Sequence, residues 1–290
     1  MSYHEFLSIW KNLLKNGLQD DGWPWDFTSK GIPDRKIKAQ VIVKSHGIWA
    51  GKGLTDALNS LAPEMSSAKG FAASSLLEDG AKLKPGIVVA ELVGPASLVL
   101  AFERPYLNLA SYVSGIATST EKLVSIVRKT CRKNPPRISP TRKTLPGYRD
   151  VAIYGVEIGG GVAHRMSLAG GVLIKENHIA SAGGIAYAVI AAREVSPHLL
   201  KIEVEVRNDK ELIQAIEAGA DVVMLDNFTP EQVKKSLVTI EASLHRPLVE
   251  VSGGINEDTI ADYSLSGVDI ISVGSLTHSV KVVDLSLLLK

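Results

Sequence analysis

The chain has 290 residues, 45% hydrophobic and 22% charged, a globular composition long enough for about two domains. Its 32 basic and 31 acidic residues leave a formal charge of +1, which excludes a global electrostatic drive toward nucleic acid, so any affinity for anions has to be local. A single cysteine, Cys131, excludes intrachain disulfides and cysteine-based metal centres; Arg128, Lys129, Arg132 and Lys133 around it favour a thiolate, but a bystander thiol is the expectation.

No basic leader precedes the first apolar residues, so no signal peptide is expected. The most apolar run, 87–102, is interrupted by Glu91, Gly94 and Pro95 and is too short to span a bilayer. A soluble, cytoplasmic protein with no membrane partner is expected. Phe6, Ile9, Trp10, Leu13 and Leu14 recur at helical spacing and predict an amphipathic helix over 2–18. Asp20, Asp21, Gly22 and Pro24 predict a loop. Ala39, Val41 and Val43 alternate with Gln40, Ile42 and Lys44, which predicts a strand over 38–48. Gly51, Lys52 and Gly53 follow without the spacing of a phosphate loop. Strands are predicted over 72–77 and 88–93, then a long helical stretch over 97–129 that is expected to break at Pro105 and Gly115. Strands and helices mixed without regular alternation predict an N-terminal, sandwich-like α+β domain over 1–115.

From Arg137 onward the texture changes. Strands are predicted over 137–142, 156–159, 171–175, 201–206, 221–226, 248–251 and 269–273, with helices over 181–195, 209–218 and 230–244. Apolar strands separated by helices predict a parallel sheet covered on its other face, and about seven such units are one short of a closed α/β barrel. Gly219-Ala220-Asp221 and Gly267-Val268-Asp269 precede their strands in the same way, as turns leading into barrel strands do.

In a barrel, function sits at the C-terminal ends of the strands. Those ends carry Arg142 and Lys143, then Gly159-Gly160-Gly161 with His164 and Arg165, then Lys175, Glu205, Asp226, Ser252-Gly253-Gly254 and Gly274-Ser275. The acid-free run from Arg128 to Arg149 is, by itself, a solvated basic face. Cations that recur at successive strand ends point instead to a polyanion. Arg142, Lys143, His164, Arg165 and Lys175 exceed what one phosphate requires and suit a ligand with carboxylates and a pyrophosphate, since arginine pairs in a fork and lysine is a movable point charge. Glu205 and Asp226 end adjacent strands and suit a divalent cation or the two hydroxyls of a ribose; Glu203 shares the face of Glu205 and lies deeper. Either glycine turn alone is only a turn, but the pair at the last two strands predicts a phosphate grip, with His278 near enough to add a donor. No His/Cys set has zinc spacing, and His4, His46, His198 and His245 are expected at the surface or in satisfied core positions.

These residues resemble the quinolinate phosphoribosyltransferase family, the carboxylating nicotinate-nucleotide pyrophosphorylases. The resemblance runs from about Gly22 to Lys290. It is carried by Glu103-Arg104 with Leu107-Asn108, by Ser114-Gly115-Ile116-Ala117-Thr118, and by Thr141-Arg142-Lys143-Thr144-Leu145-Pro146-Gly147. Gly159-Gly160-Gly161 with His164-Arg165, Leu173-Ile174-Lys175-Glu176-Asn177-His178, and Glu203-Val204-Glu205-Val206 continue it. Met224-Leu225-Asp226-Asn227, Ser252-Gly253-Gly254-Ile255 and Ser272-Val273-Gly274-Ser275-Leu276-Thr277-His278 complete it in order.

The resemblance implies a second domain over 116–279 that is an incomplete parallel α/β barrel of about seven strands, and a tail over 280–290 that returns to the first domain. It implies a glycosyltransferase, a decarboxylating phosphoribosyltransferase. This enzyme joins quinolinate to 5-phosphoribosyl-1-pyrophosphate with magnesium, giving nicotinate mononucleotide, pyrophosphate and carbon dioxide on the de novo route to NAD. It implies that Arg142, His164, Arg165 and Lys175 hold the quinolinate carboxylates and that Lys143 faces the pyrophosphate. Glu205 and Asp226 would engage the ribose hydroxyls and magnesium, and Ser252, Gly253, Gly274 and His278 the 5′-phosphate. Lys143, Lys175, Glu205 and Asp226 are the expected catalytic groups. Arg104 is expected to reach the site of a partner subunit, which implies a homodimer or higher homo-oligomer with shared sites. Three positions depart from the family pattern: Ala163 replaces the usual Asn before the His-Arg pair, Pro140 the usual Asp before Thr-Arg-Lys, and Pro105 a helix former. None removes an expected catalytic group. Two other readings are a related phosphoribosyltransferase with another substrate and a silent binder of phosphorylated metabolites. The silent binder predicts loss of Lys175, Glu205 or Asp226, and all three are present.

Overall fold

The structure, a computed structural model, describes residues 3–65 and 70–290. In chain order its elements are α1 (Tyr3–Asp20), α2 (Phe27–Lys30), β1 (Lys36–Val43), β2 (Gly47–Ile48), α3 (Lys52–Leu61), β3 (Ala72–Ser75), β4 (Lys82–Leu83) and β5 (Val88–Pro95). The long α4 (Ala96–Thr130) leads to β6 (Arg137–Ser139), α5 (Arg149–Ile158), β7 (Val172–Ile174), α6 (Glu176–Ala182) and α7 (Ile185–Val195). Then come β8 (Ile202–Val206), α8 (Asp209–Glu217), β9 (Val222–Asp226), α9 (Pro230–Glu241), β10 (Leu248–Ser252), α10 (Ile260–Tyr263), β11 (Ile270–Ser272), α11 (Ser275–His278) and β12 (Leu285–Leu289). The chain forms two compact units, one of Met1–Glu121, Thr144–Gly160 and Ser279–Lys290, the other of Lys122–Lys143 and Gly161–His278.

The first unit is built on an antiparallel sheet in the order β12-β1-β5-β3. The alternation in β1 does what its period requires: Ala39, Val41 and Val43 are buried, and they meet Trp10, Leu13 and Leu14 of α1, Leu54 and Leu58 of α3, and Phe102 and Tyr106 of α4 in one core. Each fully buried side chain of this size contributes about 1.5–3 kcal/mol. The predicted N-terminal helix is present from Tyr3, Ser2 lying outside the described residues. The predicted strand over 38–48 is two strands, because the ladder of β1 stops at Val43 and Gly47–Ile48 pairs with β4 in a separate two-stranded sheet. The tail closes the sheet, β12 pairing with β1 from Ala39↔Leu289 to Val43↔Leu285.

Two expectations are corrected in this unit. The helix over 97–129 does not break: α4 is continuous through Pro105 and Gly115. Pro105 is buried against α1, where a Cβ on Gly17 would sit 2.9 Å from the Pro105 Cβ, so packing outweighs the missing N–H donor. Gly115 serves close approach, since a Cβ there would lie 2.3 Å from the Lys281 carbonyl oxygen. The strand expected over 156–159 is the end of α5. Its two glycines, one helical turn apart, let α5 press on α4: a Cβ on Gly155 would lie 2.9 Å from the Val113 carbonyl oxygen, and one on Gly159 would lie 2.5 Å from that of Ala117.

The second unit is a parallel sheet in the order β6-β11-β10-β9-β8-β7, so six strands are present where about seven are expected. Each strand neighbours the next in sequence except β6 and β7, which form the two edges; this is a barrel with one seam open. The irregular stretch 161–171 bridges that seam. Its Val162 N–H donates to the Ile138 carbonyl of β6 at 2.8 Å, and the Gly171 carbonyl at its far end accepts from Arg165 Nη1 at 3.0 Å. Both Gly-x-Asp turns work alike: Gly219 and Gly267 take positive φ, and the Asp221 and Asp269 carboxylates accept the N–H of Ile202 and Val249, each at 2.8 Å. The helix expected over 181–195 is split into α6 and α7 at Gly183 and Gly184, both at positive φ.

Candidate active site

Strand ends on the C-terminal side of the second unit surround a cleft of about 730 Å³. Every residue predicted for the site within this unit lines it: Arg142, Lys143, His164, Arg165, Lys175, Glu205, Asp226, Ser252, Gly253, Gly274 and His278. Arg104 belongs to the first unit, where it is exposed on α4.

The cation wall follows β6. Lys143 is held by its backbone, its carbonyl accepting from Thr277 Oγ1 at 2.9 Å and its N–H donating to Thr141 Oγ1 at 3.2 Å, which leaves the ammonium exposed. The Nε atoms of Arg142 and Arg165 are buried without a partner. Burial, and then the charge of Arg142, lower the Arg165 pKa from its usual value. Buried cationic donors left unpaired are costly, and an anionic ligand relieves that cost. Lys175 ends β7 as the residue before α6; its N–H donates to His178 Nδ1 at 3.0 Å, and its ammonium pairs with Glu205.

Glu205 of β8 and Asp226 of β9 form the opposite wall. Burial, and then the charge of Glu205, raise the Asp226 pKa. Asn227, at φ 59, turns the chain so that its N–H reaches the Ser252 carbonyl at 2.9 Å and its side-chain amide donates to Asp226 Oδ2 at 2.7 Å. Gly253 makes this possible: at φ +99, its missing Cβ would sit 2.3 Å from Asn227 Oδ1 and 2.7 Å from the Asn227 backbone nitrogen. Gly253→Ala is therefore expected to displace Asn227, cost about 1 kcal/mol or more of stability and weaken any phosphate held at this turn. Thermal unfolding together with isothermal titration of a phosphoribosyl ligand would measure both.

The floor is made by groups on three strands and the bridging stretch. His164 Nε2 lies 3.4 Å from Glu203 Oε2 and 3.4 Å from Glu250 Oε2. The pairing with Glu203, then that with Glu250, raises the His164 pKa to about 10. Burial pushes Glu203 up to about 7 against the opposing pull of His164. A folded-state histidine pKa raised from 6.5 to about 10 means that its stabilising contribution is lost as pH rises through 10, while Glu203 takes up a proton below about 7 and so removes one of the two pairings at the acid end. Ser272 Oγ donates to Glu250 Oε1 at 2.5 Å. Beneath the floor a second cavity of about 450 Å³ opens at the N-terminal strand ends, past Arg137, Lys201 and Leu248; His164, Arg165 and Glu250 line both spaces.

Sequence reasoning placed Glu203 deeper than Glu205, as found, but missed Glu250 and Ser272. The same rule of strand alternation, applied to Leu248-Val249-Glu250-Val251, marks Glu250 as an inward charge in a barrel strand. Cys131 is buried, its thiol donating to the Lys133 carbonyl at 3.2 Å, as suits a bystander. Among the described residues no helix is long and apolar enough to cross a membrane.

Known proteins match both units. Residues 26–114 match the N-terminal domain, and residues 116–288 the C-terminal domain, of quinolinate phosphoribosyl transferase. The chain is 39% identical over 280 residues to a probable carboxylating nicotinate-nucleotide pyrophosphorylase of Bacillus subtilis, covering 96% of this chain and 92% of that protein. It is 38% identical over 275 residues to the carboxylating nicotinate-nucleotide pyrophosphorylase of Rattus norvegicus, covering 95% and 89%. The solved nicotinate-nucleotide pyrophosphorylase of Francisella tularensis superposes with a TM-score of 0.88 at 36% identity, covering 98% of this chain and 97% of that one. With both domains matched in order and the catalytic-side strand ends filled as described, the chain belongs to the quinolinate phosphoribosyltransferase family.

Proposed function

We propose that the cleft transfers the phosphoribosyl group of 5-phosphoribosyl-1-pyrophosphate to the ring nitrogen of quinolinate, releasing pyrophosphate and carbon dioxide and leaving nicotinate mononucleotide for NAD synthesis. The observation that supports this most is the pairing of walls in one cleft: Arg142 and Arg165 with buried, unpartnered Nε atoms on one side, Glu205 and Asp226 on the other. The first wall suits a dicarboxylate, the second a ribose. Arg142, His164, Arg165 and Lys175 take the two carboxylates, and Lys143 takes the pyrophosphate. Ser252, Gly253 and Gly274 with His278 take the 5′-phosphate at the turns after β10 and β11.

Chemistry follows from charge placement. As pyrophosphate leaves, positive charge grows at the ribose C1, and Glu205 and Asp226 stabilise it while Lys143 stabilises the departing anion. Once ribosylated, the pyridine nitrogen is cationic and sits beside the carboxylate that is lost. It stabilises the carbanion left behind, which takes a proton from water at that ring carbon to give nicotinate mononucleotide, so the substrate carries its own electron sink. Glu205 and Asp226 are also the residues that would hold Mg²⁺: two carboxylates at adjacent strand ends, one of them with a pKa raised partly by the other, are a like-charge pair that a divalent cation relieves. When bound, the ion supplies positive charge to the pyrophosphate oxygens. We further infer a cytoplasmic homodimer in which the exposed Arg104 of one copy serves the cleft of the other.

The test is direct. Purified chain with quinolinate, 5-phosphoribosyl-1-pyrophosphate and Mg²⁺ is expected to release carbon dioxide and nicotinate mononucleotide in equal amounts. Product from nicotinate but none from quinolinate would overturn the reading.

A further inference from the structure

Two carboxylates in the floor of the cleft have no part in the steps above. Glu250, in the middle of β10, is 1% exposed, and Glu203 of β8 is 7% exposed. Each places Oε2 within 3.4 Å of the same atom, His164 Nε2. Glu250 is pinned from its other side as well, where Ser272 Oγ donates to Oε1. A buried carboxylate is costly unless it is paired, and one would be enough to hold a histidine ring in place. Two beneath a single imidazole do something more: they set its charge and its orientation together.

The surroundings explain why both are needed. His164 lies on the irregular stretch that bridges the open seam, with no strand ladder to fix it, and Arg142, Arg165 and Lys175 line the same cleft. Burial of the ring favours a neutral imidazole. The charged groups that face the ring are Glu203 from β8, Glu250 from β10 and Arg165 next to it in sequence, with Arg142 beyond Arg165 and Lys175 across the cleft. Only the two carboxylates act in favour of the imidazolium. With Nε2 occupied by them, Nδ1 has no protein partner among the described residues.

We propose that Glu250 and Glu203 are positioning residues that clamp His164 by Nε2, so that it presents Nδ1–H to the cleft as a fixed cation and donor for a carboxylate of the aromatic diacid. The ligand named here rests on the function proposed above; the clamp itself does not. The raised His164 pKa agrees with it. The clamp also bears on selectivity. Negative charge buried under the cation layer repels any carboxylate that passes the layer, so it limits how deep the diacid sits and favours the pose in which both its carboxylates meet cations.

Glu250→Gln tests the clamp, because the amide can still accept from Ser272 while the charge is gone. Two quantities are read on the 290-residue chain: the His164 ring titration by ¹⁵N NMR, and the separate KM values for the two substrates. Relative to the unsubstituted chain, the ring is expected to titrate about one pH unit or more lower. KM for quinolinate is expected to rise about 10-fold, with KM for 5-phosphoribosyl-1-pyrophosphate within about 2-fold. An unmoved ring titration would overturn the proposal, and so would an equal rise in both KM values. His164, Glu203 and Glu250 also have ligand atoms within 4.8 Å of one another, close enough for a metal ion. A stoichiometric metal in the purified chain that is lost in Glu250→Gln would overturn the clamp in favour of a metal centre. Glu203→Gln gives a second, independent reading if Glu250→Gln does not fold. If the unsubstituted chain turns over no quinolinate, the proposed function fails, and the ring titration alone still decides the clamp.

Discussion

Lys175→Ala is expected to lower kcat by at least about 10²-fold while leaving the protein folded. The structure separates the two effects. The Lys175 side chain is 47% exposed, and its one ion-pair partner is Glu205, itself a residue of the cleft. The turn that positions Lys175 is held by backbone groups: its N–H donates to His178 Nδ1, and its carbonyl accepts from the N–H groups of His178 and Ile179 at 2.8 and 3.0 Å. Alanine keeps all of these bonds. The pair joins an exposed ammonium to a carboxylate that is only 14% exposed, so its loss is expected to cost about 1 kcal/mol and to move thermal unfolding by a few degrees. Removing the ammonium leaves the like charges of Glu205 and Asp226 without the cation that pairs with Glu205, and leaves the substrate anion with one cation fewer. A variant with near-normal rates and an unchanged melting curve would take Lys175 out of the chemistry.

Two inactive variants should restore each other. If the partner subunit's Arg104 completes each cleft, a chain carrying Arg104→Ala and a chain carrying Lys175→Ala are each inactive as homodimers. A mixed dimer pairs an intact Lys175 in one chain with an intact Arg104 from the other, at one of its two clefts. Random mixing then recovers about a quarter of the unsubstituted rate. Arg104 is suited to act outside its own chain: it is exposed on a helix whose neighbouring positions Phe102, Tyr106 and Leu107 are buried, so its backbone is firmly placed while its side chain is free to extend. Mixed and refolded chains that stay inactive, when each variant alone is folded, would assign Arg104 to its own chain or to no role.

Much of this architecture can be read from residues, and the failures have physical causes. The period of β1 and the repeated Gly-x-Asp turns were readable because each is a local device, and a local device leaves a local pattern. Pro105, Gly115 and Gly159 misled because they serve packing between distant segments, and glycine or proline as punctuation looks identical to glycine as clearance. The short run around Val156 and Ile158 has too few residues for its period to distinguish strand from helix. Lys175, Glu205 and Asp226 stood out because strand ends in a barrel are where charge is useful. Glu250 did not, since it lies inside a strand and acquires its partner from His164, which is 86 residues earlier in the sequence.

The open seam between β6 and β7 has one more consequence. On the four strands that carry or lead to the carboxylates and phosphate turns, shifting the chain by one residue would turn every side chain to the other face. The bridging stretch 161–171 has no such constraint: it makes isolated hydrogen bonds rather than a ladder, so it can gain, lose or exchange a residue without inverting its neighbours. It carries Ala163, His164 and Arg165, and the last two line the cleft. The fold thereby holds Arg142 and Lys175 beside the ends of ladder strands but His164 and Arg165 on a stretch that can change without moving the strands that carry Glu205 and Asp226.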